Sequence, residues 1–449
     1  MKNVSQKVKR IINNYNLQSR NKVCDFIKNN PENLKLKDLA KIAELINNKR
    51  NDTAAYYSDE ELISTMSRCL PDFNKNTLKI LEPSVGVGNF LELIINKYKN
   101  YDHIIIDVID VDEDSLKICK ILNHYRNLPE NIEINYYNED FLLKEFHNKY
   151  DLIIGNPPFL KKGQVKNWDI YQKVLKDYTS KNTAALFLNK SLTLSENIFL
   201  IMPKYFLHNN DFSKTRKTSS HYCIKEIIDF GEKGFKGVLI ETIAILINTV
   251  DKKGITNVYS LTLDKNNKID QGKMVDEEFP SWLIYRNDFF DKIASDMTFG
   301  IFKVFRDRSI TNAQLTDNEK NNIRVIKSRN IKKDGSTIMD IKNYDAYITE
   351  DNLKEHSVYK YLDRTDVFLS PNMTYYPRVI KKPKGCVTNG SVAILENDSG
   401  LLIKNKHLKF WNSEIFTEFY KIARNYSTRS LNIDKNSVFY FGLYNGEKG

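Results

Sequence analysis

Residues 78–95, LKILEPSVGVGNFLELII, decide how this chain folds. An apolar run ends at Glu82, two glycines follow at 86 and 88, and apolar residues then recur at helical spacing from Phe90. The order is strand, tight turn, helix. Gly86 and Gly88 permit positive φ and close backbone approach, and the helix presents free amides at its start, so the unit reads as a cradle for a bound group. The loop lacks the Lys-Ser/Thr pair of a phosphate-binding P-loop, and an acidic strand end suits an ammonium group better than a pyrophosphate.

Six further apolar runs lie beyond it: HIIIDVIDVD, NIEINYYNEDF, YDLIIGNPPF, NIFLIMP, IKEIIDF and TIAILIN. They alternate with amphipathic segments, which predicts an α/β, doubly wound, mostly parallel seven-stranded sheet covered on both faces. The last two runs are joined by GEKGFKG, too short for a helical crossover, and are expected to pair as a hairpin. After about residue 250 the alternation stops. NIRVIKSRNIKK, YYPRVIKKPKGC and GSVAILEN stand there among loops, as expected of a second, mixed domain. Before the sheet, residues 1–50 hold 12 Lys+Arg against 4 Asp+Glu. Val8, Ile11, Ile12 and Tyr15, then Leu39, Ile42, Leu45 and Ile46, predict a basic helical arm there. Its lysines face either solvent or phosphate. The expected division is 1–50, 51–250 and 251–449.

Strand ends carry the polar chemistry. Asp110 closes the second run and is placed to accept ribose hydroxyls, while Asp112 to Asp114 also suit a helix start. Asp140, in YYNEDFL, is a candidate acceptor for an adenine amino group. At YDLIIGNPPFL, residues 150–160, two prolines after Asn156 remove two donors and fix φ, so the Asn side chain and neighbouring carbonyls project rigidly beside Phe159. Such a loop accepts hydrogen bonds from a planar amine. Asn-Pro also starts ordinary turns.

Composition narrows the class. At 41% apolar and 12% aromatic, 449 residues bury a large core, and no run of about 18 uncharged apolar residues spans a bilayer. Without a signal-like N-terminus, the expectation is a cytoplasmic protein. A net charge of +11 favours a polyanionic partner. Cys24, Cys69, Cys119, Cys223 and Cys386 form no CxxC pair, so reduced structural thiols and no metal site are expected.

Taken in order, EPSVGVG, the acidic strand end, EDF and NPPF resemble the γ-class of S-adenosylmethionine-dependent N6-adenine DNA methyltransferases. AAYYSDEELISTM resembles the family's first cofactor motif, with Ser58 where Thr is common and Asp59 where Pro is common. IMPKYFLHNNDFSKTRK resembles a strand and loop with a recurrent Arg, here Arg216, and GFKGVLIETIAILIN the segment whose Phe, here Phe235, stacks on the target base. The resemblance implies a Rossmann-like class I methyltransferase domain and a C-terminal target-recognition domain.

It further implies S-adenosylmethionine as cofactor, S-adenosylhomocysteine as product and no metal. Glu82, Pro83 and the backbone from Ser84 through Gly86 to Gly88 would hold the methionine part, with Tyr57 and Ser58 assisting. Asp110 would take the ribose, Val111 would pack on adenine, and Asp140 and Phe141 would close the ring's far edge. Asn156 and the Pro157 carbonyl would accept the target amine's hydrogens, Pro158 would stiffen the loop, and Phe159 and Phe235 would sandwich a flipped adenine. Phe235 also reads as a core aromatic, and Arg216 as a phosphate ligand or a carboxylate partner. Arg329, Arg378, Lys382 and Arg424, interleaved with tyrosines, are the expected nucleic-acid contacts. The expected partner is double-stranded DNA, met by a monomer in the bacterial cytoplasm and nucleoid, with a cognate restriction enzyme also in view. NPPF is shared with ribosomal-RNA methyltransferases, so an RNA adenine methyltransferase and an inactive DNA-binding subunit are the alternative readings.

Overall fold

The computed structural model describes residues 6–46, 60–166, 168–175, 180–232, 240–263, 266–372, 376–428 and 432–446. Two compact units divide between Val275 and Asp276. Each is described by itself below.

In the first unit the basic arm forms α1 (Gln6–Asn14), α2 (Arg20–Asn29) and α3 (Leu36–Ile46). Helix α4 (Glu60–Cys69) leads into β1 (Thr77–Glu82), α5 (Asn89–Tyr98), β2 (His103–Ile109), α6 (Glu113–Asn123), β3 (Ile132–Tyr137) and β4 (Tyr150–Gly155). Then come α7 (Trp168–Val174), α8 (Thr183–Leu194), β5 (Ser195–Pro203), α9 (Ser213–Ser219), β6 (Cys223–Gly231), β7 (Thr242–Asn248), β8 (Ile255–Ser260) and β9 (Asn266–Asp270). The arm is part of this unit, because Val8, Ile11, Phe26, Leu39 and Ile42 share one apolar cluster with Ile118 and Leu122 of α6. Arg20 Nη1 adds ion pairs to Asp112 (2.5 Å) and Asp114 (3.1 Å) at the start of α6.

All seven expected strands form, in the order β3-β2-β1-β4-β5-β7-β6-β8-β9. β1 to β5 pair in parallel, and β7 runs antiparallel between β5 and β6. Every residue of β7 is buried, and all but one of β5, which is why they read as unbroken apolar runs. Two strands went unread. β8 pairs in parallel with β6 and β9 antiparallel with β8, so the unit runs past the expected border at 250. ITNVYS, one strand in from the edge, alternates buried with partly or fully exposed residues, and edge strand NNKID buries one residue, so neither shows an apolar run. The strand order reverses between β1 and β4. At such a switch point a crevice opens beyond the carboxyl ends of the strands.

The second unit, Asp276–Gly449, contains a four-stranded sheet centred on Val392–Asn397 and Phe368–Pro371, and a three-stranded sheet centred on Ile323–Ile326. Helices Asp288–Ser295 and Glu414–Ala423 meet through stacked Phe290 and Phe419, with centroids 4.6 Å apart. All five cysteines are free, and among the described residues no helix is long and apolar enough to cross a membrane.

Candidate active site

The turn after β1 works as its glycines require. Gly86 (φ 57°) and Gly88 (φ 86°) both lie in the left-handed region, and Gly88 caps α5. A β-carbon on Gly88 would come within 2.7 Å of Cys119 Sγ and 2.9 Å of Leu91 Cδ1. Burial pushes the Cys119 thiol up to about 12, so it remains a neutral packing group. Behind the turn Arg126 Nη2 donates to the Gly88 carbonyl (2.8 Å).

Asp110 sits directly after β2, 3% exposed. Its Oδ2 accepts from Gly86 N (2.8 Å) and its Oδ1 from Asp112 N (2.9 Å), so one carboxylate joins the glycine turn to the start of α6. Val111, beside it, is 68% exposed on the same wall. Glu82, at the end of β1, is buried.

The Asn156–Phe159 loop leaves β4 next to the β1 turn. Gly155 permits the approach, because a β-carbon there would lie 3.2 Å from the Pro83 ring. Ser84 Oγ donates to the Asn156 carbonyl (3.0 Å). Thr183, first residue of α8, donates its hydroxyl to the Pro158 carbonyl and accepts from Leu160 N (2.9 Å). Asn182 Nδ2 reaches the Phe159 carbonyl at 3.5 Å. These bonds engage the carbonyls of residues 156, 158 and 159 and pass over that of Pro157.

Together these elements enclose a cavity of about 370 Å³ at the switch point, within the range of small-ligand sites. Pro83, Ser84, Asp110, Val111, Asp140 and Phe141 line it from one side, and Asn156 and Pro158 from the other. Asp140 accepts from Leu142 N (2.9 Å) and from the Tyr171 hydroxyl (2.6 Å). Phe141 packs against Phe187, with centroids 4.9 Å apart. Lys190 lies under this layer, its Nζ donating to the carbonyls of Leu142 (3.0 Å) and Lys144 (2.6 Å). Burial holds its ammonium down, to about 8, against the pull of Asp140. The donor set suits S-adenosylmethionine. Buried Asp110 matches a diol, Asp112, Glu139 and Asp140 add further carboxylates to the lining, and the bare Val111 face and the Phe141 ring match a purine, whereas buried Glu82, expected on the methionine part, is not on the lining.

Several expected residues stand elsewhere. Tyr57, Ser58 and Phe235 lie outside the described residues. Phe159 is 8% exposed and off the cavity wall. Three of the expected nucleic-acid contacts are interior groups. Arg216 is buried, its Nη1 donating to the carbonyls of Phe206 (2.7 Å) and Asn209 (2.8 Å). Lys382 Nζ donates to the carbonyls of Leu362 and Pro383 at 2.9 Å, and Arg424 is 1% exposed. Guanidinium and ammonium groups so enclosed hold loops together instead of meeting phosphates. Arg378 is half-buried and donates to the Ile331 and Ser328 carbonyls. Arg329 is exposed, 4.6 Å over the Tyr344 ring. Sequence reading missed Tyr171, Thr183 and the buried trio Lys204, Asp229 and Glu241, where Lys204 Nζ lies 2.8 Å from Asp229 and 3.7 Å from Glu241. Only Lys204, just past the carboxyl end of a buried strand, carried a signal of its own.

Residues 89–235 match the Eco57I restriction-modification methylase family. The type II methyltransferase M.AccI of Acinetobacter calcoaceticus is 32% identical over 228 residues, 47% of this chain and 39% of that protein. M.VspI, a type II methyltransferase of Vibrio sp. (strain 343), is 29% identical over 204 residues, 44% and 48% of the two chains. The aligned part thus spans less than half the length of either relative. Among solved structures, the type IIL restriction-modification enzyme MmeI in complex with DNA superposes with a TM-score of 0.55 at 13% identity, over 80% of this chain and 65% of that one, a likeness of fold. The first unit has the class I methyltransferase fold, and the family that the chain resembles is that of the restriction–modification DNA methyltransferases.

Proposed function

We propose that the chain is a site-specific DNA adenine-N6 methyltransferase that uses S-adenosylmethionine. The observation that carries this reading is the shared cavity, which sets the clamped Asn156-Pro157-Pro158 turn opposite Asp110, Val111 and Asp140. The match to a restriction-modification methylase family and to type II methyltransferases supports DNA methylation, and the loop chemistry supports adenine. The bound cofactor supplies an electrophilic methyl group on a sulfonium.

The protein's own contribution is to make an amine nucleophilic. An exocyclic adenine amine delocalises its lone pair into the ring. The Asn156 side-chain oxygen and the Pro157 carbonyl accept its two hydrogens, favouring a tetrahedral nitrogen with a localised pair. Two prolines and the Ser84 and Thr183 bonds keep those acceptors in place, so little reorganisation remains at the moment of reaction. Flipping the adenine out of the duplex costs a few kcal/mol, which stacking offsets at about 1–3 kcal/mol per base. The second unit, with Arg329 exposed over Tyr344, is the proposed reader of the target site. Action as a monomer in the bacterial cytoplasm, beside a cognate restriction enzyme, belongs to the same proposal.

The test is transfer from tritiated S-adenosylmethionine to duplex DNA and, in a separate reaction, to structured RNA, followed by digestion and chromatography of the nucleosides. Label is expected in N6-methyldeoxyadenosine, and Asn156→Ala is expected to lower turnover about 100- to 1000-fold. Label confined to RNA favours the RNA methyltransferase instead. Full transfer by Asn156→Ala refutes the mechanism.

A further inference from the structure

The Tyr171 hydroxyl lies within the cavity wall, 2.6 Å from Asp140 Oδ2. That length is typical of a phenol bonded to an ionised carboxylate. Tyr171 belongs to α7, which follows the Asn156–Phe159 loop in the chain, whereas Asp140 follows β3. The bond therefore joins two separate walls of one cavity. Burial first, then the carboxylate itself, raises the phenol above its ordinary value, so it donates at any physiological pH.

Asp140 is arranged for a third donor. Its Oδ1 accepts from Leu142 N at 2.9 Å and its Oδ2 from Tyr171, so one lone pair on each oxygen is used. The carboxylate lines the cavity between Phe141 and Val111, with its rotation fixed by a donor on each oxygen. Without Tyr171, Oδ2 would turn and hydrate, and a ligand amine would have to displace water and reorder the group.

From this geometry we infer that Tyr171 is a positioning residue for cofactor selection: it holds Asp140 oriented for the exocyclic amine of the cofactor's purine, and so sets the preference for adenine. The inference rests on the proposal that the cavity takes S-adenosylmethionine. It adds a residue that neither the motifs nor the comparisons single out.

The test compares dissociation constants, by calorimetry on the full chain, for S-adenosylhomocysteine and for its analogue with hydrogen in place of the purine amine. Wild-type protein should prefer the amine-bearing ligand. Tyr171→Phe, which keeps the ring, should lose about tenfold of that preference while binding the deamino analogue as before. Asp140→Asn should lose a similar amount, and the double variant should lose no more than either single one. Equal weakening toward both ligands means that Tyr171 serves only packing, and it overturns the inference. So does an unchanged or enlarged preference in Tyr171→Phe, which would mark the phenol as a competitor for Asp140. Binding of the deamino analogue by each variant shows that its site is folded. Failure of wild-type protein to bind S-adenosylhomocysteine overturns the cofactor reading itself, and this inference with it.

Discussion

Replacing Thr183 by valine removes one oxygen at nearly constant volume. That oxygen ties together both ends of the segment after Pro157, donating to the Pro158 carbonyl and accepting from Leu160 N at 2.9 Å. Thr183 is 3% exposed, so valine leaves a carbonyl and an amide without their partner on the loop that carries Asn156. An unsatisfied buried group costs about 1–3 kcal/mol. Both backbone groups are only partly buried beside the cavity, where water can enter, so the expected loss for the pair is about 2 kcal/mol. Urea denaturation should show this as a lower midpoint with an unchanged slope. Turnover should fall further than stability explains, by about 10- to 100-fold, because the loop loses the bond that fixes its acceptors. Thr183→Ser, which keeps the hydroxyl, should recover most of both. If Thr183→Val denatures at the wild-type midpoint and transfers methyl groups at the wild-type rate, the clamp does not hold the loop and the reasoning fails.

Gly88→Ala forces a β-carbon into Cys119 and Leu91 at φ 86°, and should cost about 2–4 kcal/mol in urea denaturation. Adding Cys119→Ala should recover the part of the steric cost owed to Cys119, leaving the Leu91 contact and the strain at positive φ, and complete recovery would remove the conformational argument. Lys204→Met leaves Asp229 and Glu241 buried without their cation, so a loss of about 3–5 kcal/mol is expected, read as a lower Tm. For Lys190, held at about 8 in the fold against 10.5 unfolded, the unfolded chain binds the extra proton between those values. Relative to Lys190→Met, wild-type stability should therefore rise with pH across that window and stay level below it. A parallel pair of Tm profiles from pH 7 to 10 would exclude the shift.

How much of this was legible follows from what each signal measures. β4 to β7 were readable because most of their residues are buried, and a strand buried on both faces must be largely apolar, whereas β1 to β3, with mixed burial, were read from the apolar residues they retain. The insertion of β7 between β5 and β6 was not, since an apolar run records burial and says nothing about its neighbours. β8 and β9, at the end of the sheet, were missed for the converse reason, because β8 alternates buried with less buried residues and edge strand β9 is mostly polar. Asp110, Asp140 and Asn156 could be placed together because each ends a strand in an open parallel sheet, and strand ends on one edge converge. Tyr171 and Thr183 could not, because both follow a connection whose path no periodicity encodes. Three of the basic residues, Arg216, Lys382 and Arg424, turned out to be interior. A lysine or arginine looks identical in sequence whether its head meets water or a carbonyl, and Arg216 and Lys382 turn inward to carbonyls that only the folded loops present.

The acceptor turn is held by contacts between residues far apart in the chain. Ser84 and Asn156 are separated by 72 residues and meet because β1 and β4 are adjacent at the switch point. Gly155 eases their meeting, since a β-carbon there would lie 3.2 Å from the Pro83 ring and oblige it to give by a few tenths of an ångström. Asp110 extends the same coupling to β2 through Gly86 N, and Thr183 extends it to α8. The turn after β1 and the turn after β4 are thus parts of one hydrogen-bonded body, and in the proposed reaction a cofactor seated on Asp110 and Ser84 would be placed relative to Asn156 by that body. In-line transfer between two small groups requires such fixed separation. In the proposed reaction the cavity between these turns, more than either motif alone, would specify the chemistry.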